Sequence, residues 1–194
     1  MYYKEDCTYH IFNRSNETVF YNRENYLFFL KKIREYVLPN ANILSYCLMP
    51  NHFHLILTVK PEGVIIIENE KLEEMQVLSR AIGTTLSSYT QAINKQQGRR
   101  GSLFAHKTKA KILNEAKDEY ALNCFMYVHQ NPILAKLVSK IEDWEFSSFP
   151  DYIGARNGTL VNIQLGLAIF QIDKNQLYEL TYILMKDKLD EDFI

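Results

Sequence analysis

Cysteine is scarce in this chain: three residues in 194, at positions 7, 47 and 124. Odd in number, far apart and without Cys-x-x-Cys spacing, they build neither the disulfide framework of a small secreted domain nor a cysteine metal cluster, and read as reduced thiols in packed positions. Glycine and proline are also few, seven and five, and internal repeats and low-complexity tracts are absent. No apolar stretch reaches the length of a membrane span. Residues 1–6 are tyrosine-rich and charged, without the apolar core of a signal peptide, so the expected location is the cytoplasm.

Charge of one sign is not in excess either. With 22 Lys and Arg against 23 Asp and Glu the net charge is −1, so whole-molecule electrostatics do not announce a nucleic-acid binder. The distribution is uneven: acid is concentrated at 62–74 and 187–192, whereas Arg99, Arg100, Lys107, Lys109 and Lys111 fall together between them. Taken alone, such a basic cluster is equally well explained as a solvated face.

What the chain does have is 47% hydrophobic residues, enough for one well-buried core. It centres on Met49-Pro50-Asn51-His52-Phe53-His54, a turn opening into the apolar run Leu55-Ile56-Leu57-Thr58-Val59. Side chains alternate along a strand, so His52 and His54 share one face and Phe53 takes the other. The spacing fits a divalent-metal half-site on a core strand, and taken alone fits equally a chance pair in which one histidine is a satisfied surface or core residue.

Around it the elements follow from periodicity. Residues 8–13, aromatic and β-branched, read as a first strand closed by Asn13-Arg14-Ser15-Asn16. A helix follows, capped by Asn22, with Tyr26, Phe29, Leu30, Ile33 and Val37 at helical spacing and Pro39 as its stop. Residues 43–48 form a second strand, joined through Pro50-Asn51 to the histidine strand as an antiparallel hairpin. A second helix is expected over 71–94, on Leu72, Met75, Leu78, Ile82, Leu86, Tyr89 and Ile93, and then an edge strand over 108–113. The order β-α-β-β-α-β is the ferredoxin-like α+β arrangement, with helices on one face of the sheet.

A third helix, over 115–131, presents Tyr120, Cys124, Tyr127 and Asn131 at steps of four, three and four, hence on one face. Pro132 should end it. Residues 133–152 carry aromatics, including Trp144, suited to covering the core, and 153–194 read as a small C-terminal helical extension with an acidic end. The division expected is therefore 1–152 and 153–194.

Five blocks in order carry a resemblance: Asn13-Arg14; Tyr46-Cys47-Leu48-Met49-Pro50-Asn51-His52-Phe53-His54; Gly101-Ser102-Leu103-Phe104; Tyr127-Val128-His129-Gln130-Asn131-Pro132; and Trp144-Glu145-Phe146-Ser147-Ser148-Phe149. Together they resemble the REP-associated tyrosine transposases, a branch of the HUH single-tyrosine DNA transposases. The similarity runs from about Cys7 to Tyr152. Two positions depart from the family pattern: Ser15, where a glycine is common, and Thr108, where an aromatic often follows the basic residue.

The resemblance implies His52 and His54 as metal ligands, Asn131 as the third, and Tyr127 as the nucleophile. It implies Mg²⁺ or Mn²⁺ as cofactor, and as substrate single-stranded DNA folded into a hairpin. Arg99, Arg100, Lys107, Lys109 and Lys111 would then contact phosphates, with Asn13 and Arg14 near bases or backbone. His106 and His129 are assigned to DNA contact or to structure. A homodimer, with Tyr127 serving its own or a partner's histidines, stays open. Two other classes are weighed: a relative that binds hairpins without chemistry, and a zinc hydrolase, which would need a further histidine or carboxylate ligand and a general-base carboxylate.

Overall fold

The computed structural model describes residues 1–68, 74–104, 107–113 and 118–184. Its centre is a four-stranded antiparallel sheet made of β1 (Thr8–Arg14), β2 (Ala41–Met49), β3 (His52–Val59) and β6 (Lys109–Ile112), in the order β2-β3-β1-β6. Strands β1, β2 and β3 are buried along nearly their whole length, which requires cover on both faces of the sheet. One face is covered by α1 (Arg23–Lys32) and, beyond the one-turn α2 (Pro61–Val64), by α3 (Val77–Gln97). Phe29 of α1 meets Phe53 of β3 at 5.2 Å between ring centroids, and Tyr89 of α3 meets Phe29 at 5.0 Å. The other face is covered by α4 (Asp118–Leu134), whose Tyr127 lies against His54.

Asn22 caps α1 as expected, its side chain accepting the Asn25 N–H at 3.0 Å, and the helix widens into a π turn over Ile33–Val37 before Pro39. The α3 expectation needs correction at its start. Residues Glu74–Gln76 form β5, antiparallel to β4 (Ile66–Glu68), and Met75 pairs with Ile67 instead of joining the helix. The cause is tertiary. The Gln76 side chain accepts the Tyr3 N–H and donates to the Tyr3 carbonyl at 2.9 Å, holding Gln76 extended against the local helical pattern. Lys71 and Leu72 lie outside the described residues.

A second correction concerns Pro132, which sits inside α4 and does not end it. The helix stops by a left-handed residue, Lys136 (φ 57), with Leu137 N–H donating to the Pro132 carbonyl and Lys136 N–H to the Ile133 carbonyl. That is a Schellman closure, formed here without glycine. Proline removes its own N–H from the ladder and its ring crowds the Val128 carbonyl, and the packed helix tolerates both.

Residues 144–148 run along the outer edge of β2. Leu48 N–H donates to the Phe146 carbonyl, Trp144 Nε1–H to the Leu48 carbonyl at 3.0 Å, and Ser148 N–H to the Tyr46 carbonyl. The edge is thereby closed to another strand. Beyond it, α5 (Phe149–Tyr152), α6 (Ile163–Ile169) and α7 (Leu177–Ile183) follow. Leu160, Val161, Phe170, Ile172 and Leu177 join the same apolar core as the sheet. Gln130 on α4 donates to the Thr181 carbonyl of α7, so this C-terminal part braces the helix that carries Tyr127. No helix among the described residues is long and apolar enough to cross a membrane.

Candidate metal and nucleophile centre

The hairpin turn sets the site. Met49 pairs with His52, leaving Pro50 and Asn51 as the turn, and the carbonyl of Pro50 accepts from Val19 and Phe20 while that of Asn51 accepts from Ser15 at 2.8 Å. The chain after β1 therefore clamps the turn that delivers the histidines. The two rings stand on one face of β3, centroids 5.1 Å apart and nearly perpendicular. Tyr127 projects from α4 to within 5.6 Å of the His54 ring. One chain thus brings the tyrosine and the histidines together.

These side chains open on a cavity of about 460 Å³ whose walls include Asn13, Arg14, Met49, Lys107, Lys109, Leu134 and Ala135 besides His52, His54, Tyr127 and Asn131. Arg14, Lys107 and Lys109 are its charged residues, and no Asp or Glu lines it among the described residues. A cavity positive at its rim and lacking carboxylates suits an anion. Among the described residues its wall offers no carboxylate of the kind a zinc hydrolase uses as general base.

Two polar atoms meet, and a third belongs to a residue of the same cavity wall, each with its other valence already committed. His52 Nδ1 is 2.7 Å from Asn51 Oδ1, so a neutral His52 donates there and turns a lone pair on Nε2 inward. That lone pair faces Asn131 Oδ1 at 3.5 Å. Asn131 cannot turn its amide around without losing the bond from Nδ2 to the Tyr127 carbonyl, 2.8 Å. His54 Nε2 is buried without a hydrogen-bond partner, while its Nδ1 is 2.9 Å from His10 Nε2. Two imidazole nitrogens and an amide oxygen, each pinned from behind, fit a divalent cation. No cluster of three His, Cys, Asp or Glu occurs among the described residues, so any such ligand set must include the amide.

Burial keeps these histidines neutral. It lowers His52 to about 4 and His54 well below the ordinary histidine value, with the His10 and His52 rings and Arg14 adding to the effect on His54. Burial also raises the Tyr127 phenol above its ordinary value, while a hydrogen bond with Asn131 and the charge of Arg14 pull it back. A neutral imidazole is the form that ligates metal, but a buried phenol needs added positive charge to ionise.

Other residues singled out from the sequence are more dispersed. Lys109 extends over the Phe12 ring at 5.7 Å, and Lys111, two residues further along the edge strand, is outside the cavity wall. Arg99 pairs with Glu17 at 2.6 Å, and neither it nor Arg100 lines the cavity. Asn13 donates to Thr108 Oγ1 at 2.9 Å, tying β1 to the basic segment. His129 is fully buried, 2.8 Å from Ser148 Oγ, and is structural. His106 falls outside the described residues. Sequence reasoning missed Asn51 and His10 as partners of the histidines. Asn51 lies within the quoted motif, but His10 becomes visible only through the β1–β3 register.

No protein-family model matches the chain, and no curated protein matches it. Among solved structures, it is similar to that of a REP-associated tyrosine transposase bound to a REP hairpin, at 17% identity and a TM-score of 0.60 over 84% of this chain and 87% of that one. At this identity the likeness is one of fold, and the fold is the α+β arrangement expected from the order of elements.

Proposed function

We propose that this protein is a metal-dependent transposase or endonuclease that cleaves and rejoins single-stranded DNA near hairpins through a 5′-phosphotyrosine intermediate. The observation that supports this most is the convergence of Tyr127, His52, His54 and Asn131 on one cationic cavity. The solved structure of similar fold is a transposase bound to a hairpin, which agrees with the same substrate class.

In this reading Arg14, Lys107 and Lys109 draw the DNA backbone into the cavity and neutralise phosphate charge. His52 Nε2, His54 Nε2 and Asn131 Oδ1 would hold Mg²⁺ or Mn²⁺. When bound, the cation would polarise the scissile phosphate and favour the phenolate. Tyr127 Oη gives up its proton to solvent and attacks phosphorus, the P–O3′ bond breaks, and the departing oxygen takes a proton from solvent to become a free 3′-hydroxyl. The phosphodiester energy is retained in the tyrosyl ester, so a second 3′-hydroxyl reverses the step and joins strands without ATP. Leu134, at the end of α4, and Ala135, just past it, give the cavity wall part of its apolar surface.

The test is incubation with a labelled single-stranded hairpin library and Mn²⁺, followed by denaturing gels and sequencing of the cleaved ends. A covalent protein–DNA band that disappears in chelator supports the reading. Hairpin binding with no adduct under any metal would replace it with a binding protein that has lost, or never had, strand transfer.

A further inference from the structure

Behind the proposed ligands stands a histidine to which the reading above gives no part. His10 on β1 is 1% exposed and does not line the cavity. Its Nε2 lies 2.9 Å from Nδ1 of His54, and the two rings stack with centroids 5.1 Å apart at an interplanar angle of 19°. The sheet register produces the pair. Phe12 sits opposite His54, so His10, two residues along on the same face, is its diagonal neighbour. Phe12 stacks on both rings, at 4.7 Å from His10 and 6.0 Å from His54, and fixes their planes.

A hydrogen bond between two imidazole nitrogens holds one proton, and its position decides what the far edge of His54 offers. With the proton on His10 Nε2, His54 must carry its own on Nε2 and would present an N–H to the cavity. With the proton on His54 Nδ1, the buried and unpartnered Nε2 of His54 presents a lone pair. Among the described residues nothing accepts at that edge: Nε2 of His54 is buried with no hydrogen-bond partner, so an N–H there would stay unpaired. A lone pair there, by contrast, lies on the same cavity as His52 Nε2 and Asn131 Oδ1 and can join them on a cation.

We infer that His10 is a positioning residue: it accepts the Nδ1 proton of His54 and so locks His54 in the tautomer whose Nε2 ligates a divalent cation. This rests on the reading of His52, His54 and Asn131 as ligands. It assigns His10 no contact with DNA or with the reacting atoms.

The experiment uses full-length protein labelled with ¹⁵N-histidine, free of metal, and reads the His54 tautomer by long-range ¹H–¹⁵N correlation. Mn²⁺ alone is then titrated while the free ion is followed by electron paramagnetic resonance. Wild type should show His54 protonated on Nδ1. His10→Phe keeps a stacked ring but no acceptor, and should move the proton to Nε2 and weaken Mn²⁺ affinity by about 10- to 100-fold. His10→Gln, whose amide oxygen can accept, should restore most of both. Wild-type His54 protonated on Nε2 overturns the inference, and so does His10→Phe with unchanged tautomer and affinity. If His10→Phe does not fold, the wild-type tautomer and His10→Gln still decide. Wild type with the Nδ1–H tautomer and no Mn²⁺ binding would overturn the metal reading while leaving the His10–His54 proton assignment standing.

Discussion

His52 Nε2 and Asn131 Oδ1 face each other at 3.5 Å although each is an acceptor once Asn51 and the Tyr127 carbonyl have taken the neighbouring atoms. Two acceptors in contact repel unless a proton or a cation lies between them, and it is here that the proposed metal site would place its cation.

Asn131→Ala should therefore raise the Mn²⁺ concentration needed for cleavage by about 10-fold or more, with partial rescue at high Mn²⁺. Gln130→Ala should leave the metal requirement unchanged. It removes the donor to the Thr181 carbonyl and should instead lower stability by about 1–3 kcal/mol. Calorimetric metal titrations and urea melts of both variants check the pair. A metal defect in Gln130→Ala with none in Asn131→Ala would reverse the assignment.

Tyr127→Phe should abolish the covalent adduct and leave hairpin binding nearly unchanged, because only the attacking oxygen is lost. Tyr127 and His54 are adjacent within one chain, so mixing Tyr127→Phe with His54→Ala should restore no cleavage. Denaturing gels read both outcomes. Complementation in the mixture would show that the tyrosine acts on a partner's histidines.

The metal-free protein should lose stability on mild acidification. Burial lowers His10 to about 3, His52 to about 4 and His129 to about 3. Below the ordinary histidine value near 6.5, the unfolded chain takes up protons that these folded histidines refuse, so stability falls as pH falls. For the fully buried His10 and His129 the loss is about 1.4 kcal/mol per pH unit each from about pH 6.5 downward, and it levels off above that value. Urea midpoints in chelator at pH 7.5, 6.5, 5.5 and 4.5 measure it. A flat profile between 6.5 and 4.5 would mean that these rings are charged or hydrated in the fold.

Arg14→Ala and Lys109→Ala should each weaken hairpin binding and reduce the dependence of log K on log salt by about one unit, as for a lost phosphate contact. Arg99→Ala should change the slope less, since Arg99 is paired with Glu17 away from the cavity. Fluorescence anisotropy across a salt series separates them. Equal slope changes at all three positions would place the DNA across the Arg99 surface as well.

Features whose signal is local were legible from the order of residues. Strand alternation put His52 and His54 on one face and Phe53 on the other. Side-chain chemistry made Asn22 a cap, and helical spacing put Tyr127 and Asn131 on one side of α4. The order of elements then gave a sheet that the structure shows in the order β2-β3-β1-β6.

Features that depend on which distant residues meet were not legible from that order. Gln76 was drawn out of its helical pattern by hydrogen bonds to Tyr3, 73 residues away. α4 ran through Pro132 to close at Lys136, because packing against the sheet and α7 outweighed one missing N–H. Most consequentially, the pairing of β1 with β3 set His10 against His54. Periodicity assigns a side chain to a face, but register chooses its neighbour, and the neighbour decides which nitrogen of an imidazole carries the proton.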